Sequence, residues 1–122
     1  MTNERPVRDG VEGFRADLED LGTVTDVNGT VVTYEVLAVA GALAGRLVLT
    51  AVGVDELGGW PAVQPHWIHL PAEVKFAASN VDGSSTLPGW QRHSRQIGIW
   101  DMSGHPGQAW LAYVRSVVSM AA

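Results

Sequence analysis

Apolar residues near the start of the chain fall at Val7, Val11, Phe14, Leu18 and Leu21, spaced alternately four and three apart along one stripe of an α-helix. Gly22 follows as a natural residue beyond a helix C-terminus, so the pattern predicts a helix over about Pro6 to Leu21. Gly10 and Gly13 each weaken it by about 1 kcal/mol relative to alanine. Its stability must therefore come from docking the stripe on a partner, and the period change downstream points to a sheet.

From Thr23 onward β-branched residues cluster in Thr23-Val24-Thr25 and in Thr30-Val31-Val32-Thr33-Tyr34, on either side of Asn28-Gly29, a dipeptide that tolerates the positive φ angles of a tight hairpin. These predict two strands, the second running to Ala40. A turn over Gly41 to Gly45 leads to a third strand, Arg46 to Val52. A loop from Gly53 to Pro65 then precedes a short aromatic strand, His66 to Leu70, closed by Pro71 and expected near a sheet edge. Between Ala72 and Gly107 neither period is sustained, so this region reads mostly as loop, and a loop of that length is usually functional. Trp110, Val114, Val117, Val118 and Ala121 restore helical spacing, and with Pro106 suited to a first helical position they predict a helix over about Gly107 to Met120.

Composition narrows the function classes. The chain has 122 residues, enough for one domain, and its 46% hydrophobic and 17% charged content suits a packed globule. Eight Lys+Arg against 13 Asp+Glu give a formal charge of -5, the wrong sign for a surface that displaces counterions from phosphate, so nucleic acid is not an expected partner. With no apolar leader at Met1 to Asp9 and no long uninterrupted apolar stretch, neither export nor a membrane partner is expected, and the cytoplasm is the expected compartment. No cysteine is present, which removes disulfides, Cys-ligated zinc and any thiolate nucleophile.

The order of helix, four-strand antiparallel meander ending in a proline-bounded aromatic strand, long loop and C-terminal helix predicts an α+β fold. It resembles the ubiquitin-conjugating (E2, or UBC) fold and its RWD-type relatives. The third strand, Leu47 to Val52, leads into Trp60-Pro61 and then Gln64-Pro65-His66-Trp67-Ile68-His69-Leu70-Pro71. That passage is similar to the E2 segment where a strand runs into a Tyr-Pro, a Pro-Pro pair and the fourth strand. The block Gly89-Trp90-Gln91-Arg92-His93-Ser94-Arg95, with Trp100, resembles the tryptophan-serine-arginine segment of bacterial E2-like proteins of family E.

An E2 carries an activated ubiquitin-like C-terminus as a thioester on cysteine, and this chain has none. The His-Pro-Asn signature upstream of that cysteine is also missing. Ser85 or Thr86 falls roughly where the cysteine is expected, but a hydroxyl forms an oxyester far less readily, and the sequence nearby offers no evident base. The resemblance thus implies a non-catalytic E2-like module that binds a ubiquitin-like protein or an E1-like adenylating enzyme in a bacterial conjugation pathway.

Read by themselves, the chemistry-bearing residues point to a docking surface more than to a catalytic centre. His66 and His69 on one strand point to opposite faces, so the pair is not expected to share a metal ion, and neither metal nor cofactor is expected. His93-Ser94 lacks the Gly-x-Ser-x-Gly elbow of hydrolases. A small enzyme using the histidine-rich loop, through metal assistance or a Ser/His pair, is the alternative. The residues expected to bind a partner are Trp67, Trp90, Arg92, His93, Arg95 and Trp100, which combine aromatic anchors with cationic or titratable groups in an otherwise acidic chain.

Overall fold

The structure, a computed structural model, describes residues 9–76, 80–82, 86, 88–94 and 104–121. It is α+β, with helix α1 (Gly10–Glu19), strands β1 (Asp26–Asn28), β2 (Val31–Leu37), β3 (Leu47–Gly53), β4 (Trp67–Pro71), β5 (Asn80–Asp82) and β6 (Trp90–Ser94), and helix α2 (Pro106–Val118). All strand pairings are antiparallel, in the order β1-β2-β3-β4-β6-β5.

Both helices cover one face of this sheet. Phe14 and Leu18 of α1 and Trp110, Val114 and Val117 of α2 share one buried cluster with Val32, Tyr34, Val52, Ile68 and Leu70, which alternate along β2, β3 and β4. The Phe14 ring stands edge-on to Tyr34 and Trp60, at centroid distances of 5.8 and 4.9 Å. Trp60, expected in a loop, is 1% exposed and belongs to the core. On α2 the expected face is buried throughout, and Pro106 takes the first turn while the His105 side chain accepts a hydrogen bond from Gly107 N.

The departures from expectation have local causes. Helix α1 ends two residues before Leu21, which is exposed, and Val7 lies outside the described residues. Thr23 to Thr25 do not form a strand, because Arg15 of α1 donates to the Thr25 hydroxyl at 2.9 Å and that hydroxyl donates to Glu19 at 2.8 Å, holding the segment on the helix. The hairpin turn sits one residue later than expected, with Gly29 at φ 65 and Asn28 paired with Val31. Strand β2 stops at Leu37 rather than Ala40, since Val39 N donates to Ser119 Oγ and Ala42 N to Ala121 O, both at 3.0 Å at the C-terminal end of α2.

The largest correction concerns the sheet itself. Among the described residues it has six strands rather than four, and β4 is interior rather than near an edge, because Trp90 to Ser94, expected in a loop, pairs with it along five residues from Trp67↔Ser94 to Pro71↔Trp90. Strand β5 then closes on β6 through Asn80↔Ser94, Val81↔His93 and Asp82↔Arg92. Among the described residues no helix is long and apolar enough to cross a membrane.

Candidate functional site

Cross-strand partners share a face, so the registers Ala51↔His69 and His69↔Arg92 set these residues on the face opposite Ile68 and Leu70, away from both helices. There His69 is 2% exposed and Ala51 fully buried, although neither α1 nor α2 covers them. The chain that leaves β3 comes back to His69. Directly after Gly53 a 3-10 turn, Val54–Glu56, doubles back over the sheet. A Cβ on Gly53 would lie 2.7 Å from Asp55 Oδ1 and 3.2 Å from Glu56 Oε2, so the missing side chain is what gives these carboxylates room.

Glu56 is fixed from two sides. Its Oε1 accepts the backbone N–H groups of His66 at 2.9 Å and Trp67 at 3.0 Å. Its Oε2 lies 3.7 Å from His69 Nε2, an ion-pair separation too long for a hydrogen bond. Burial pushes the Glu56 carboxyl up, but the His69 imidazole and the N–H groups of Trp67 and His66 outweigh it and hold its pKa below the ordinary 4.5. On the other side of the ring, His69 Nδ1 is 2.7 Å from the Thr86 hydroxyl.

These three groups line one cleft of about 550 Å³ on the helix-free face, together with Asp55, Arg92 and the Gly29-Thr30 hairpin turn. A carboxylate facing Nε2 favours the tautomer with the proton on Nε2, which leaves the Nδ1 lone pair to accept the Thr86 O–H. The result is a hydroxyl, an imidazole and a carboxylate in series. At Thr86 the expectation of a hydroxyl without a nearby base is thus corrected, because His69 reaches it across 17 positions of sequence. Glu56 had no signal in the sequence beyond acidity, and His69 was recognisable only as a strand residue.

The residues expected to bind a partner divide. The Arg92 guanidinium lies over the Trp67 ring at 4.2 Å from its centroid, on neighbouring strands of the helix-free face and beside the cleft. Trp90 is half-buried on the same face of β6, opposite Pro71. His93 must be removed from the surface set, since it pairs with Ile68 on the core side, is 1% exposed and has its ring 4.7 Å from that of Phe76. Arg95 and Trp100 lie outside the described residues, as does Ser85.

The histidines do not gather. His66 is exposed ahead of β4, while His69 and His93 take opposite faces. Among the described residues the grouping with metal-ligand spacing is Asp17, Asp20 and His105, at the junction of α1 and α2. Since His105 Nδ1 accepts the Gly107 N–H at 3.1 Å, the neutral ring carries its proton on Nε2, which faces Asp20 at 3.7 Å. An N–H there is a donor and not a metal ligand.

Comparison with protein families, with curated proteins and with solved structures finds no match to this chain.

Proposed function

We propose that the chain is an E2-like binding or accessory module of a bacterial, cytoplasmic ubiquitin-like conjugation pathway, and that a ubiquitin-like protein or an E1-like adenylating enzyme docks on the helix-free face of β4 and β6. The observation that carries this reading is the stacked pair of Trp67 and Arg92 beside the cleft, 4.2 Å apart, in a chain of net charge -5. A desolvated indole and a guanidinium supply much contact energy for few lost rotamers. The cleft of about 550 Å³ beside them, with Arg92 in its lining, gives a partner segment a concave surface to enter. The order of an N-terminal helix, a β1 to β4 meander, a proline-bounded fourth strand and a C-terminal helix also agrees with a UBC- or RWD-type arrangement, extended here by β5 and β6.

The reading is tested by retaining partners on the tagged full chain from its native host and identifying them by mass spectrometry. The expected result is an E1-like adenylating enzyme or a ubiquitin-like protein, lost in Trp67→Ala and Arg92→Ala while both variants keep their melting temperature. Recovery of neither class by the unaltered chain overturns it.

A further inference from the structure

We propose that Thr86, His69 and Glu56 form an acyl-transfer site, in which the Thr86 hydroxyl takes the acyl group of an activated ester or thioester and releases it to water. The proposal stands on the geometry of the cleft alone and does not depend on a protein partner.

The three groups have the chemical order such a step requires. A threonine hydroxyl is a poor nucleophile unless a base removes its proton as it attacks. His69 Nδ1, 2.7 Å from Thr86 Oγ1, is within reach to do so, and Glu56 Oε2, 3.7 Å from Nε2, faces the positive charge that then develops on the ring. Burial of His69 at 2% exposure removes competing water from the imidazole, and the cleft of about 550 Å³ leaves room for an acyl donor against the hydroxyl. Glu56 itself is held by two backbone N–H groups, so it is a positioning residue whose orientation is set before any substrate arrives.

In the first half-reaction Thr86 Oγ bonds to the carbonyl carbon and its proton passes to His69 Nδ1. The bond from that carbon to the alcohol or thiol breaks, and the leaving group takes the proton from Nδ1. In the second half-reaction water attacks the acyl-threonine, gives its proton to Nδ1, and Thr86 Oγ leaves and recovers it. The sum is ester or thioester plus water giving acid plus alcohol or thiol, with no redox change and no cofactor.

The test uses the full chain with p-nitrophenyl acetate and, in parallel, S-phenyl thioacetate. Leaving-group release is followed against pH, and the acid-quenched protein is mapped by peptide mass spectrometry. The expected result is one acetyl group on Thr86, absent in Thr86→Val and restored in Thr86→Ser. Release by His69→Gln should fall about 100-fold or more, and Glu56→Gln should shift the pH profile as well as the rate. Thr86 is half-buried, so its two variants decide the matter even if His69→Gln fails to fold. An acetyl group found only elsewhere on the chain, or release unchanged in Thr86→Val, overturns the proposal. Acetylation of Thr86 by a chain that captures no conjugation partner would uphold this site and remove the binding reading, and the reverse result would do the opposite.

Discussion

The indole Nε1 of Trp60 donates a 2.9 Å hydrogen bond to the carboxylate of Asp17, and both side chains are buried, at 1% and 3% exposure. The bond ties the loop after β3 to the inner face of α1, and the same indole stands edge-on to Phe14 and to Trp110. Buried hydrogen bonds to charged groups contribute about 1.5–3 kcal/mol. Trp60→Phe, which keeps an aromatic ring but removes the donor, should therefore lower the unfolding free energy in urea by at least about 1.5 kcal/mol. A loss within about 0.5 kcal/mol would show that the bond contributes nothing net.

Phe14 is fully buried where α1 meets the sheet, between Tyr34 and Trp60. Truncation there leaves a cavity that the two rigid rings beside it cannot collapse to fill, so Phe14→Ala should cost about 3–5 kcal/mol. Urea melts that show a loss under about 1 kcal/mol would contradict the docking of α1.

The Tyr34 hydroxyl accepts a 2.8 Å hydrogen bond from Trp110 Nε1 in the core, and burial holds its pKa far above that of a free tyrosine. Tyr34→Phe leaves that indole without this acceptor and should cost about 1–3 kcal/mol at neutral pH. A raised folded-state pKa means the Tyr34 contribution is intact below the ordinary value of 10.0 and is lost as pH rises above it. The gap between the unaltered chain and the phenylalanine variant should therefore narrow in alkali. A gap that stays constant to high pH would refute the assignment.

Glu56 gives the opposite sign. Its folded-state pKa lies below the ordinary 4.5, so its stabilisation is present above that value and disappears as acid drives the pH down through the folded-state pKa. Glu56→Gln retains an oxygen to accept the His66 and Trp67 N–H groups and removes only the charge. The urea midpoints of the two proteins should differ at neutral pH and converge in acid. If the difference is the same at about pH 7 and about pH 2, the carboxylate is not stabilised by its surroundings.

How legible each part was depends on how far apart its determinants lie. Helix α2, the core face through Trp110, Val114, Val117 and Val118, and the Gly29 hairpin were readable because their causes are local: a 3.6-residue period, a proline in the first turn, and a residue free to take φ 65. The α+β order followed from the same short-range signals. Strand β6 was not readable. Trp90-Gln91-Arg92-His93-Ser94 is polar at most positions on both of its faces, and only the ladder to β4 makes it a strand and β4 an interior one. The candidate site is the extreme case. Glu56, His69 and Thr86 come from a turn, a strand and a loop, and no periodicity links them. Chain reversal after Gly53 and the registers of β3, β4 and β6 bring them within hydrogen-bond and ion-pair range. Local spacing encodes elements, because neighbouring residues share one backbone geometry. Convergence of polar groups depends on how those elements are stacked and paired, and that is set by burial of the whole core.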